Sequence, residues 1–313
     1  MLQWKCQETR EQTLDIKQLR FLIALEREKH FGRAAETCFV SQPTLSARIR
    51  LLEQELGVLL VERHNHNYQG FTSEGEKVLQ RARRIVADCD AMQQDVSAMH
   101  DRLTGTLSIG VVPSALPLVS WLTAQFGARY PAVHINVLSR SSMEIQRGLD
   151  DFDLEAGVSY IDNEPLKNVR HVPLYDENYV LIISSSADLA TASDEISWAE
   201  AATLPLCLLT PDMQNRRIVD GAFRTAGVSP TPEIETNSML NLVTNVQRGR
   251  LATILPDHFL DVLGARSYVR ALKLIKPVIS HKIGLLIADR DPASPVAESL
   301  WKLAAELDVS KIV

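Results

Sequence analysis

One stretch limits the folds open to this chain more than any other: FGRAAETCFVSQPTLSARIRLLEQEL, residues 31–56. Phe31, Ala34, Ala35 and Cys38 recur at helical spacing, and Leu45, Ile49, Leu52 and Leu56 follow at steps of four, three and four. Only Phe39, Val40 and Ser41 separate the two sets, so the helices must meet through a tight turn. Ser41 is placed to cap the second helix, with Pro43 in its first turn. The face away from the leucines carries Gln42, Thr44, Ser46, Arg48 and Arg50. Short hydrogen-bonding groups stand at the start of this helix, and guanidinium groups one to two turns on. Such a helix can enter a major groove, read base edges with its first residues and hold phosphates with its arginines. A solvated surface helix would show the same polarity, and the segment alone fits either.

The residues around it narrow the choice. LRFLIALEREKHFGRAAE, VSQPTLSARIRLLEQELGVLLVER and FTSEGEKVL, in that order between Asp15 and about Ala91, resemble the winged helix-turn-helix of LysR-type transcriptional regulators. Ile16, Leu19, Leu22, Ile23 and Leu25 read as a first helix, Gly57 as the stop of the recognition helix, residues 58–61 as a strand and 64–70 as the wing. The resemblance assigns DNA contact to Gln42, Pro43, Thr44, Ser46, Arg48 and Arg50, with Arg33 and Arg63 as phosphate contacts. Two departures bear on base preference. The family often has Arg-Gln after the Leu-Ser pair where this chain has Ala47-Arg48, and its wing often carries arginines where this one reads HNHNYQGF. His64, His66 and Gln69 leave that wing nearly neutral at pH 7.

Charge argues against a general nucleic-acid binder. The chain has 33 Lys and Arg against 39 Asp and Glu, a net charge of −6. Residues 1–103 are balanced, 15 against 15, and the whole deficit lies in residues 104–313. Binding to DNA must then rest on charge gathered on one face, on pairing of subunits and on specific contacts. Cys6, Cys38, Cys89 and Cys207 are scattered, without a C-x-x-C pair, which fits a reduced cytoplasm better than a disulfide or zinc framework. The polar start MLQWKCQETREQTL reads as a short extension and not as a secretory signal, and no apolar run is long enough to span a membrane.

Residues 73–100 form the second distinctive feature. Ser73 with Glu76 makes a capping box, and Val78, Ala82, Ile85, Cys89, Met92, Val96 and Met99 recur at steps of four and three. A stripe this narrow suits a partner helix, though packing on its own domain would use it as well. In the resembled family this is the linker helix that pairs two subunits, and pairs of dimers form tetramers.

Thr104-Gly105 ends the helix, and strands and helices then alternate to the C-terminus, which predicts an α/β domain with mostly parallel sheets. Its length favours two lobes with a cleft between them. TGTLSIGVVPSALP, YPAVHINVLSRSS, LDDFDLEAGV, VPLYDENYVLII and VQRGRLATILP resemble the effector-binding half of the same family. The resemblance implies a periplasmic-binding-protein fold with two Rossmann-like lobes. The expected organisation is a winged helix-turn-helix over 1–72 with an extension over 1–14, a linker helix and hinge over 73–103, and an effector domain over 104–313. Lobe one spans about 104–175 and 281–313, and lobe two about 176–280.

Clefts of this kind use strand ends and helix N-termini. Ser114, Ser141, Ser142, Met213, Gln214, Asn215, Asn237 and Ser238 fall at strand-to-helix turns and are the candidate ligand contacts. Singly, each serine needs no role beyond capping a helix. Arg216 and Arg217 would add positive charge. No dinucleotide fingerprint, phosphate loop, nucleophile elbow or zinc-protease motif is present, and the Asp150, Asp151 and Asp153 group reads as a solvated turn. The sequence therefore predicts a non-enzymatic regulator that binds an inverted repeat in promoter DNA as a homodimer or homotetramer, with RNA polymerase as a further partner. It is expected to answer a small anionic or carboxylate effector and to need neither cofactor nor metal. The alternatives are an enzyme using the α/β half on a metabolite and a small-molecule-binding protein.

Overall fold

The structure, a computed structural model, describes residues 14–64, 67–99, 102–186, 193–262, 264 and 268–307. Residues 1–13 with Cys6, and likewise His66 and His100, lie outside the described residues. The chain divides into two compact units, residues 1–93 and 94–313.

In the first unit Asp15 and Gln18 close a capping box at the start of α1 (Ile16–Glu28). α2 (Phe31–Thr37) follows, its first amides capped by His30. α3 (Gln42–Leu56) is capped by Ser41 and stopped by Gly57 in the left-handed region at φ 71°. Leu45, Ile49 and Leu52 are fully buried against Leu22, Leu25, Phe31 and Ala34. Each such side chain contributes about 1.5–3 kcal/mol. Two antiparallel strands, β1 (Val61–His64) and β2 (Asn67–Phe71), form the wing. Residues 58–60 expected in a strand are not part of one, since pairing with β2 starts only at Val61.

α4 (Ser73–Ala98) begins in this unit and is about 39 Å long at 1.5 Å per residue. Its cap lies one residue before the expected Ser73. Thr72 Oγ1 accepts the Gly75 amide at 2.9 Å and donates to Leu59 O at 2.7 Å, whereas Ser73 turns to Glu74. Gly75 is required there, because a Cβ would fall 2.1 Å from Leu60 O. No helix among the described residues is long and apolar enough to cross a membrane.

The second unit opens with β3 (Gly105–Val111), a 3-10 turn (Pro113–Ala115), α5 (Leu116–Arg129), β4 (Val133–Ser139), α6 (Ser142–Asp150) and β5 (Ala156–Tyr160). The long β6 (Val169–Ser184) leads to β7 (Glu195–Ser197), α7 (Trp198–Ala201), β8 (Cys207–Leu209), α8 (Gln214–Thr225), β9 (Ile234–Thr236), α9 (Met239–Arg248) and β10 (Thr253–Pro256). α10 (His258–Val262), β11 (Val269–Ile275), β12 (Ser280–Ala288) and α11 (Pro295–Glu306) complete it.

One sheet runs in the order β4-β3-β5-β12-β6-β11-β7, with β10 also on β6, and β8 and β9 pair beside it. β6 joins two lobes. Its residues 169–178 pair with β12, and from Tyr179 onward it lies between β10 and β11. The expectation of mostly parallel sheets needs correcting at this junction. β12 is antiparallel to both β5 and β6, and β6 is antiparallel to β10 and β11. A single long strand shared by two lobes forces its return partners to run against it. β3, β4 and β5 are parallel, as are β8 with β9.

Candidate nucleic-acid interface and ligand cleft

α3 buries Leu45, Ile49 and Leu52 on one side and leaves Gln42, Pro43, Thr44, Arg48 and Arg50 exposed, with Ser46 half-buried. Ser41 Oγ accepts the Thr44 amide at 3.3 Å and shares a hydrogen bond with Thr44 Oγ1 at 2.8 Å, which fixes the first turn. Arg48 lies 3.8 Å from Asp15, an exposed pair that solvent screens. Arg33 is exposed, donates to Glu28 O at 2.6 Å and lies 3.5 Å from the Glu28 carboxylate, a pair that solvent screens.

Arg63, expected at a phosphate, points away from solvent. Its guanidinium turns inward, 3.0 Å from the buried Glu53 carboxylate and 5.7 Å from the centre of the Phe31 ring. Glu53 Oε1 also accepts the Leu60 and Val61 amides at 2.9 and 3.1 Å. The pair ties the recognition helix to the wing.

The stripe on α4 divides in two. Ala82 is buried in the core of its own unit with Leu79, and Val78 is partly buried against the same core. Ile85, Met92, Val96 and Met99 are exposed, Met92 by 61%, and Cys89 is half-buried. The first three turns of the helix cover the core of the winged domain, so only the later part of the heptad pattern faces outward.

In the second unit Ser114, Ser141, Ser142, Met213, Gln214 and Asn215 converge on one small cavity of about 10 Å³. A second cavity of about 220 Å³ shares Ser142, Tyr160 and Gln214 with it. α8 starts at Met213 with no side-chain cap. Gln214 is 3% exposed, and neither atom of its amide group has a hydrogen-bond partner among the described residues. A buried amide of that kind is costly unless a ligand completes it. Across the cleft Asn215 donates to Tyr160 Oη at 3.3 Å, His258 Nε2 lies 3.2 Å from Ser114 O, and Arg217 donates to Glu164 at 2.7 Å.

Four of the expected placements change here. Ser114 caps no helix. It sits in the 3-10 turn, and its hydroxyl meets Tyr160 Oη at 3.1 Å. Asn237 is exposed and outside the cavity, because Ser238 caps α9 and Met239 supplies the wall. Ser141 lines the cavity, but its hydroxyl is engaged in a capping box with Glu144. Arg216 turns from the cleft to Leu209 O, Asp220 and Glu235.

The sequence reading missed what lies beneath. Tyr160 donates to the fully buried Glu177 at 2.5 Å, and Tyr179 donates to the same carboxylate oxygen at 2.9 Å. Burial pushes the Glu177 carboxyl from 4.5 up to about 7, although the tyrosine hydrogen bonds pull the other way. Burial and the same carboxylate hold Tyr160 and Tyr179 well above the ordinary tyrosine range. A signal was present: Tyr175, Glu177 and Tyr179 alternate in phase with the buried Leu181.

Comparison with known proteins agrees with this geometry. The LysR substrate binding domain matches residues 100–308, and the bacterial regulatory helix-turn-helix protein of the lysR family matches residues 16–76. The DNA-binding transcriptional dual regulator OxyR of Escherichia coli K12 is 29% identical over 93% of this chain and 94% of its own length. A hydrogen peroxide-inducible genes activator of Haemophilus influenzae is 27% identical over 93% and 95%. A full-length OxyR variant from Pseudomonas aeruginosa superimposes with a TM-score of 0.74 at 24% identity, covering 95% of this chain and 96% of that one. Full-length CbnR complexed with its target DNA gives 0.65 at 19% identity, over 93% and 99%. With a winged helix-turn-helix at one end and a two-lobed ligand domain at the other, both matched over their length, the chain belongs to the LysR-type family of DNA-binding transcriptional regulators.

Proposed function

We propose that this regulator binds an inverted repeat in promoter DNA as a dimer, or as a tetramer of two dimers, in the bacterial cytoplasm, where it also meets RNA polymerase. The single observation that carries the DNA reading is the exposed row Gln42, Thr44 and Arg50, with Ser46 half-buried beside it, on a helix whose other side buries Leu45, Ile49 and Leu52. Gln42→Ala and Arg50→Ala should each cost about 1–3 kcal/mol of binding and relax preference at single base pairs. Fluorescence anisotropy with genomic fragments tests this, and affinity should fall steeply with salt. Equal binding of all fragments by wild type would refute it.

The exposed residues Ile85, Met92, Val96 and Met99 are the proposed seam between subunits. Met92→Glu would bury a charge against an apolar partner. Sedimentation should then show monomers with weakened DNA binding, and an unchanged mass would assign the stripe another role.

The cleft is proposed to sense a small anion or carboxylate, without a cofactor and without catalysing a reaction. Support comes from the uncapped N-terminus of α8 together with the buried, unsatisfied Gln214 amide. Five of the relatives carry hydrogen peroxide in their names. A thiol that answers peroxide must reach its thiolate form. Here Cys207 is buried, its thiol pushed up to about 11, and none of the described cysteines lines the cleft. That counts against peroxide as the signal for this chain.

A further inference from the structure

We infer that the cleft takes up its anion together with a proton, which settles on Glu177 and turns the Tyr160 hydroxyl toward the ligand. The inference rests on the anion reading of the cleft proposed above. Glu177 lies at the end of the β6 stretch paired with β12, just before the strand changes partners. It does not line the cavity, but Tyr160 does, and Tyr160 is its hydrogen-bond donor at 2.5 Å.

A tyrosine hydroxyl has one hydrogen. While Glu177 is ionised, that hydrogen points into the core, and Tyr160 offers the cleft only lone pairs. Asn215 donates to that oxygen at 3.3 Å, while Tyr179 spends its one hydrogen on Glu177. An anion would then face an acceptor with a buried negative charge behind it. Once Glu177 takes a proton from solvent, its carboxyl can donate to Tyr160 Oη. The Tyr160 hydrogen is released to the cleft, and the charge behind it is gone.

Among the described residues no cation stabilises the ionised form. The titratable groups facing Glu177 are Tyr160 on β5, Tyr175 and Tyr179 on its own strand, Asp257 and His258 at the start of α10, and His281 opposite on β12. Asp257 disfavours ionisation further, and His281 lies 3.3 Å from Asp162, outside the hydrogen bonds of Glu177. The proton must sit on Oε1, the oxygen that meets Tyr160, and the second oxygen, Oε2, is buried without a hydrogen-bond partner among the described residues, which adds to the cost of ionisation.

Calorimetric titration of the full chain with acetate, formate and sulfate tests this, run near pH 6 and near pH 8 in buffers of different ionisation enthalpy. With Glu177 titrating at about 7, the anion that binds should bind about tenfold more weakly near pH 8. About one proton should be taken up per anion there. Glu177→Gln should bind with the same affinity at both values and take up no proton. Should that variant fail to fold, proton uptake by wild type decides alone. Equal wild-type affinity at both values, binding without proton uptake, or an unchanged pH dependence in Glu177→Gln would each overturn the coupling and leave the anion site standing. Failure of all three anions to bind at either pH would overturn the anion reading, and the coupling with it.

Discussion

Glu53→Ala should destabilise the winged helix domain by about 3–5 kcal/mol, a large share of what holds any small domain together. Glu53 Oε1 alone receives the Leu60 amide, the Val61 amide and Arg63 Nη1, at 2.9, 3.1 and 3.2 Å. Removing it strands two amides and leaves a guanidinium among apolar groups. Arg63 already has two nitrogens, Nε and Nη2, that are buried without a partner among the described residues. Hydrogen exchange of the full chain over residues 16–86 should show the loss, with protection of the second unit unchanged. The double variant Glu53→Gln with Arg63→Met should recover much of it, because replacing a buried pair costs less than breaking it. The same double variant separates structure from DNA contact. Its affinity for DNA should keep the wild-type dependence on salt, since Arg63 contributes no phosphate contact. A salt slope reduced by about one would return Arg63 to the interface.

Much of the winged domain was legible because its signals are local. The steps from Leu45 to Leu52, the Ser41 cap and the Gly57 stop all lie within one helix and its two neighbours. Arg63 was misread for the opposite reason. Its partner is ten residues away on another element, and only the folded hairpin brings Glu53 to it. The heptad stripe shows a related limit. Periodicity says which side of α4 is apolar, but it does not say what covers each turn, and the winged domain covers Val78 and Ala82. In the α/β half six residues picked at strand-to-helix turns from sequence order alone line one cavity. The Tyr160, Glu177 and Tyr179 cluster was not legible in that way. Its members come from β5 and β6, which are held together only through β12 lying between them. The antiparallel junction escaped notice for the same reason, since alternation of strands and helices carries no record of which strand returns to which.

Glu177 should also make the stability of the second unit depend on pH, by on the order of 3 kcal/mol. An unfolded chain releases this proton near the ordinary value of 4.5, and the folded chain holds it to about 7. Between those values the folded state carries one proton more than the unfolded state. The contribution is therefore fully present below 4.5, declines as pH rises and is lost once pH passes about 7. Glutamine cannot ionise, and it keeps an oxygen to accept from Tyr160 and Tyr179. The stability of Glu177→Gln relative to wild type should accordingly rise with pH and level off above about 7. Urea unfolding of both proteins, followed by tryptophan fluorescence, measures this in the right unit, because Trp121, Trp198 and Trp301 all belong to it. Fluorescence reports each transition as a function of pH, and the difference between the two proteins removes what the other groups contribute. A difference that stays constant from pH 4.5 to above 7 would mean that Glu177 keeps one charge state throughout, and the cleft would then have no buried proton to exchange with its ligand.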